Sequence, residues 1–333
     1  MEHLENRKKD HIELAFKSQT TSRLMDPRFH YEPLLKAHPS GGLQPFTFLG
    51  KTQRVPIWVS SMTGGSRIAG TINRNLAMAC NEFGMGMGLG SCRIIMEDDT
   101  HFEDFNMRGI IGDDLPFWAN LGIAQVEELV QRKRVDEAIR LVEKLHADGL
   151  IIHVNPMQEW FQPEGDILSV PPLEILQQFM EQVSIPVIVK EVGQGMGPES
   201  LRALLQLPLQ AIEFAAFGGT NFARIELLRD ERASQAIFEP LSFIGENAAS
   251  MVNHVNEIVA REKPVCKEVI ISGGIKNFLD GYYLIRKSAL PSVYGMASAF
   301  LKHAREDYDR LRDFVHAQVK GLEMAYAYLS IRE

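Results

Sequence analysis

Residues 150–166 read LIIHVNPMQEWFQPEGD. A short apolar run gives way to His153, Asn155, Gln158 and Glu159 within a few positions. An apolar run of this kind reads as a parallel strand buried on both faces, and the polar residues crowd its carboxyl end. One segment thus delivers an imidazole, two amides and a carboxylate to one place. Glu159 can bind a hard divalent cation through oxygen, Gln158 can donate or accept a hydrogen bond without changing charge, and His153 can do either near neutrality. Taken singly, each is an ordinary loop residue. Their crowding makes the segment a candidate reaction site.

Working outward, the same signature recurs. Apolar runs at 55–60, 84–89, 117–121, 150–154, 186–192, 211–216, 269–272 and 293–297 make eight candidate strands. Helical spacing lies between them, clearest in Val126, Leu129 and Val130, then in Ala138, Leu141, Val142 and Leu145, and in Leu311, Phe314, Val315, Gln318 and Leu322 near the end. Strand and helix alternate with no composition break or Pro/Gly/Ser linker. The pattern predicts an α/β protein with a single (β/α)8 TIM barrel over residues 46–333 rather than a doubly wound sheet with a second domain. Two segments stand outside the repeat. Residues 1–45 mix basic residues with turn formers (Asp26-Pro27, Pro39-Ser40-Gly41-Gly42) and are expected to lie across a barrel mouth as an extension contributing to the substrate site. The connection after the sixth strand, 221–244, has the length of a lid or mobile loop.

Composition excludes several classes. Of 333 residues, 45% are hydrophobic and 23% charged, ordinary values for a globular protein. No window approaches the ~18 consecutive apolar residues of a membrane span. The opening MEHLENRKKDHIEL is charged where a secretory signal is apolar, so a cytoplasmic protein with no membrane partner is expected. Cys80, Cys92 and Cys266 lie far apart without a CxxC pair and read as free thiols. A net charge of -8 argues against nucleic acid as a partner. It does not bar a phosphorylated ligand, because cations in direct contact outweigh distant, screened charges.

In such a barrel the reacting groups stand at the carboxyl ends of the strands. Those ends are polar and rich in glycine: Ser61-Met62-Thr63-Gly64-Gly65, Gly90-Ser91-Cys92-Arg93, Asn120-Leu121-Gly122, Lys190-Glu191-Val192-Gly193, Gly218-Gly219-Thr220, Ser272-Gly273-Gly274 and Gly295-Met296-Ala297-Ser298. Glycine lets backbone approach a flat ring or a phosphate. The seventh and eighth ends are where these barrels commonly hold phosphate, which implies a phosphorylated cofactor. Lys190 is a lone cation closing the apolar run PVIVKEV. A buried ammonium needs a partner, either Glu191 or a bound electron-rich group. It could also be a Schiff-base lysine or face the N1 edge of a flavin. No GxGxxG follows a strand in dinucleotide-binding context.

Together these motifs resemble the type 2 isopentenyl-diphosphate isomerases, which are FMN-dependent (β/α)8 enzymes. The resemblance runs nearly the whole chain, through RKKDHI (7–12), SMTGG (61–65), NLAMAC (75–80), MGLGSCR (87–93), WANLG (118–122), HVNPMQE (153–159), PEGD (163–166), VIVKEVGQG (187–195), GGT (218–220) and SGGI (272–275). It implies FMN, reduced by NADPH and active in its reduced form, held by Thr63, Gly64, Ser91, Asn120, Lys190, Thr220, Gly273, Gly274, Ala297 and Ser298. It further implies a diphosphate substrate on Arg7, Lys8, His11, Ser91, Arg93, His153, Asn155 and Gln158, with Mg2+ on Glu159 and with Gln158, Lys190 and His153 as the catalytic set. The implied assembly is a homo-oligomer, a tetramer or octamer.

The chain departs from the pattern in places. Cys92 replaces a usual glutamine, Glu213-Phe214-Ala215-Ala216 replaces an Asp-Val-Gly-Gly-like approach and puts bulk near Phe217, and residues 244–248 lack a usual proline and threonine. Two other readings share the barrel. An FMN-dependent 2-hydroxy-acid oxidase or dehydrogenase would carry a His base with paired arginines near the last strand ends, where this chain has Ser272-Gly273-Gly274-Ile275. The other is a flavin-binding barrel without catalysis.

Overall fold

The computed structural model of the chain describes residues 2–61, 65–229 and 237–332. In chain order its strands are β1 (Phe29–Tyr31), β2 (Phe46–Phe48), β3 (Lys51–Gln53), β4 (Ile57–Val59), β5 (Gly86–Gly88), β6 (Phe117–Gly122), β7 (Leu150–His153), β8 (Val187–Lys190), β9 (Ala211–Glu213), β10 (Val269–Ser272), β11 (Ser292–Met296) and β12 (Leu329–Ile331). The eight predicted runs are β4 to β11. They close a parallel barrel in the order β10-β11-β4-β5-β6-β7-β8-β9.

The apolar runs are continuous because both faces of each strand are covered. Inward, Trp58, Trp118, Ile188 and Ile270 come from alternate strands, and Ile151, Ala211 and Val293 from strands between them. Outward, Ile57, Val59, Phe117, Ile152, Val189 and Ile271 join the core beneath the helices. Each such side chain, fully buried, contributes about 1.5–3 kcal/mol. The helical spacings become Ile123–Gln131, Asp136–Lys144 and Tyr308–Tyr328. Leu311, Val315, Gln318 and Leu322 form the buried stripe of the last helix. The three cysteines are free and buried. Among the described residues no helix is long and apolar enough to cross a membrane.

The hairpin just after the N-terminal extension and the extension itself take different places. The β2–β3 hairpin places Phe48 and Leu49 against the inward layer, and Leu49 N–H donates to Glu268 at 2.9 Å, just before β10 begins. That hairpin closes the amino-terminal end of the barrel, opposite the strand ends that carry polar residues. β1 pairs with β12, and Arg28 ties the segment to Asp280 at 2.8 Å. The helix Glu2–Leu14 stands apart, its side chains exposed from Glu5 onward.

Candidate active site at the carboxyl end of the barrel

The carboxyl ends of β8 to β11 and β4 surround a cavity of about 420 Å3. Lys190, Thr220, Gly273, Gly274, Ala297 and Ser298, predicted as cofactor residues from four separate loops, all line it. Gly273 and Gly274 have φ of 91° and 73°, in the left-handed region. A Cβ on Gly273 would fall on the backbone O and N of Ala216, so only glycine lets the two loops meet.

Lys190 is 6% exposed. Its Nζ donates to the backbone carbonyl of Glu191 at 2.8 Å, and it joins no ion pair among the described residues. The Glu191 carboxylate is committed elsewhere: it accepts from the N–H groups of Gly193, Gln194 and Gly195 at 2.6, 2.6 and 2.9 Å. Burial pushes its pKa up despite those bonds. The Glu191 carboxylate thus makes no ion pair with the ammonium among the described residues, although the Lys190 charge still acts on it. Among the described residues, Ser60 Oγ, Ser61 Oγ and Glu213 Oε2 are buried without a hydrogen-bond partner, and their residues line the same cavity. A polar ligand would satisfy them.

Across β6 to β9, Gly122, His153, Lys190 and Glu213 share one register. His153 Nδ1 lies 2.7 Å from Asn120 Oδ1. An amide oxygen only accepts, so Nδ1 carries the hydrogen and Nε2 is left as an acceptor. Burial, then the Lys190 charge, lowers the His153 pKa to about 3. His153 is consequently neutral near pH 7, with a donor at Nδ1 and an acceptor at Nε2. Unfolded histidine binds its proton near pH ~6.5, so from there down to about 3 the unfolded chain binds more protons and stability falls with pH. The stabilising contribution is complete above that window. His153→Gln is expected to flatten this acid slope by up to about 1.4 kcal/mol per pH unit; urea midpoints at pH 7 and pH 5 that fall equally in both proteins would contradict it.

The helix Pro156–Phe161 follows β7 directly. Asn155 Nδ2 donates to Glu159 Oε1 at 2.7 Å and to Gln158 Oε1 at 3.2 Å, and Asp166 N–H donates to Glu159 Oε2 at 3.0 Å. Gln158 Nε2 reaches Glu226 Oε1 at 3.3 Å. Glu226 was missed in the sequence. It lies in the helix Phe222–Arg229, within the predicted long connection, and is 4% exposed. Its other oxygen accepts from Arg229 at 2.7 Å. The two helices meet through Met157, Phe161, Ala223 and Leu227. Ala223 and Leu227 lie four apart with Glu226 on the same face, and a carboxylate on an apolar helix face was the available signal.

The remaining predicted residues are more dispersed. Ser91 is exposed at the end of the β5 loop. Arg93 is half exposed and bridges to Asp166 at 3.1 Å. Arg7, Lys8 and His11 lie on the exposed helix Glu2–Leu14 and are not brought to the cavity. Thr63 and Gly64 fall outside the described residues. Of the departures, Glu213, Ala215 and Ala216 line the cavity, whereas Cys92 and Phe217 do not. Cys92 is fully buried, its thiol pushed up to about 12 by burial. Phe217 bridges to Asn247 and packs over Gly245, and is not among the lining residues.

Relatedness decides between the readings that share this barrel. An isopentenyl-diphosphate delta-isomerase of Rickettsia felis is 34% identical over 324 residues, covering 96% of this chain and 90% of that one. One from a Nostoc species is 32% identical over 322 residues, covering 95% and 89%. The chain belongs to the isopentenyl-diphosphate delta-isomerase family. No family model matches it. Among solved structures, a mandelate oxidase variant with a monooxide FMN adduct has a TM-score of 0.56 at 14% identity, over 92% of this chain and 88% of that one. A flavocytochrome b2 variant with pyruvate bound has 0.63 at 14%, over 90% and 71%. At such identity the likeness is one of fold. The isopentenyl-diphosphate delta-isomerase family and these oxidases share a barrel, while sequence relatedness attaches this chain to the former.

Proposed function

We propose that the chain interconverts isopentenyl and dimethylallyl diphosphate, with reduced FMN in the cavity between Lys190 and the Gly273-Gly274 turn. The observation that carries this reading is the Lys190 ammonium, buried without an ion pair and facing a cavity whose far end is glycine backbone. A buried, unpaired charge costs several kcal/mol, roughly 3–5 when a partner is lost. An electron-rich ring edge offsets that cost, and backbone at a glycine turn suits phosphate. Thr220, Ala297 and Ser298 line the same end, with Asn120, Ser91, Thr63 and Gly64 completing the set. When bound, reduced FMN supplies an acid/base position at N5 and an electron-rich ring that stabilises cationic character on the alkene, with no net redox. NADPH serves only to reduce it.

The chain's own residues bind and orient. Gln158, braced by Asn155 and Glu226, positions or relays a proton without changing charge. Arg93 is free to grip the diphosphate, because its exposed pair with Asp166 is worth only about 0–1 kcal/mol. Arg7, Lys8 and His11, with no such pairs to break among the described residues, join it from the N-terminal helix, and Ser91 and Asn155 complete the grip. The arriving anion raises the pKa of His153, which then donates to it. Magnesium needs only one or two carboxylates when phosphate oxygens and water complete its shell. A single Glu159 therefore suffices, and among the described residues no group of three metal-binding side chains exists.

Glu159→Gln is expected to raise the magnesium requirement about tenfold or more while FMN stays bound; an unaltered magnesium titration would count against the metal role. For the activity, purified protein is supplied with FMN, NADPH, magnesium and isopentenyl diphosphate. Release of dimethylallyl diphosphate is the expected result, and a protein that binds flavin but leaves the olefin unchanged would refute the reading.

A further inference from the structure

We infer that Glu213 is a polyol acceptor, its free carboxylate oxygen taking a hydrogen bond from a hydroxyl of the ribityl chain that joins the flavin ring to its phosphate. This rests on the FMN reading above. The strand ends and the cofactor follow one order. β8, β9, β10 and β11 are neighbours in that sequence around the barrel. Their carboxyl ends present, in turn, the Lys190 ammonium, Glu213, the Gly273-Gly274 turn and the Ala297-Ser298 pair. The cofactor has the same chemical order of electron-rich ring edge, run of hydroxyls and phosphate. With the ring against Lys190 and the phosphate at the glycines, the intervening strand faces the hydroxyls.

On that strand stands a carboxylate with 0% exposure. Oε1 accepts from Ser272 Oγ at 3.2 Å, and Ser272 Oγ itself accepts from Ala215 N–H at 2.9 Å, which fixes the side chain. Oε2 has no partner among the described residues. Lys190 is the register neighbour of Glu213 and lies on the same face, yet the two form no ion pair. Opposite charges side by side and unpaired are costly to bury, unless each faces its own ligand group. A hydroxyl can donate to Oε2, whereas a phosphate would be repelled by it. Glu213 therefore also sets the direction of the ligand, keeping the dianion toward the glycines. Ser60 and Ser61, with partnerless hydroxyls on the same cavity, are placed to meet the rest of the chain.

The test titrates the apoprotein with FMN and with its 2′-, 3′- and 4′-deoxy analogues, following flavin fluorescence, for the wild type, Glu213→Gln and Glu213→Ala. One analogue is expected to bind the wild type about tenfold or more weakly than FMN does, the size of a charge-assisted hydrogen bond. Glu213→Ala should bind FMN weakly by a similar factor and lose nothing further with that analogue, since the two changes remove one contact. Glu213→Gln keeps the shape and carries the comparison if the alanine variant does not fold. If each analogue loses the same factor on variant and wild type, the Glu213 contact is overturned while FMN binding stands. Wild-type protein that binds no flavin would overturn both.

Discussion

Lys190→Ala is expected to cut turnover about a hundredfold to a thousandfold, the scale found when one preorganised electrostatic contact is removed, and to weaken FMN binding. The reason lies in how Lys190 is held. Among the described residues it has a single backbone carbonyl as partner and no carboxylate, which on the proposed reading leaves its charge for the flavin. That makes a second, opposite-signed expectation for the apoprotein. Lys190→Met keeps the volume and removes the buried charge, and it should raise the stability of the flavin-free protein by about 1 kcal/mol or more. A structural role would give the reverse, with apoprotein stability falling and flavin affinity kept. Thermal melts of the apoprotein and flavin titrations of both variants distinguish the two.

Gly273→Ala is the second large effect. An L residue in the left-handed region costs about 1–2 kcal/mol, and the added methyl meets the Ala216 backbone, which cannot rotate away as a side chain would. Overpacking of that kind adds about 1–3 kcal/mol. The loop must shift, and with it the turn that faces the cavity, so flavin affinity and melting temperature should fall together. Gly42→Ala is the control. It has a similar φ of 81° but nothing within 4 Å of its added Cβ, so it should cost only the backbone strain, about 1 kcal/mol, and leave flavin binding untouched. Equal losses in the two variants would mean that the contact with Ala216 is unimportant.

The chain announced much of this site. PVIVKEV showed a lone cation at the end of a buried strand, and SGGI showed glycine where backbone could approach a ring or a phosphate. What it could not show was which carboxylate, if any, met that cation. Glu191 adjoins Lys190 in sequence, yet its carboxylate caps three backbone N–H groups of the following turn. Glu226, far from Gln158 in sequence, is its hydrogen-bond partner because two helices meet through Met157, Phe161, Ala223 and Leu227. The charge of His153 is a similar case. A residue type that titrates near neutrality is held neutral by burial and by Lys190 on the next strand.

The barrel and its glycine-rich strand ends were legible from the residues alone. Strand periodicity, burial on both faces and glycine-rich strand ends are written in neighbouring residues, where backbone sterics and hydration act locally. The partners and protonation of the polar groups emerged only once the strands and helices came together. Tertiary packing also set the Glu2–Leu14 helix apart from the cavity and laid the β2–β3 hairpin across the opposite end of the barrel. Those outcomes depend on distances and dielectric between side chains from separate strands, which close to a few ångströms only when the barrel closes.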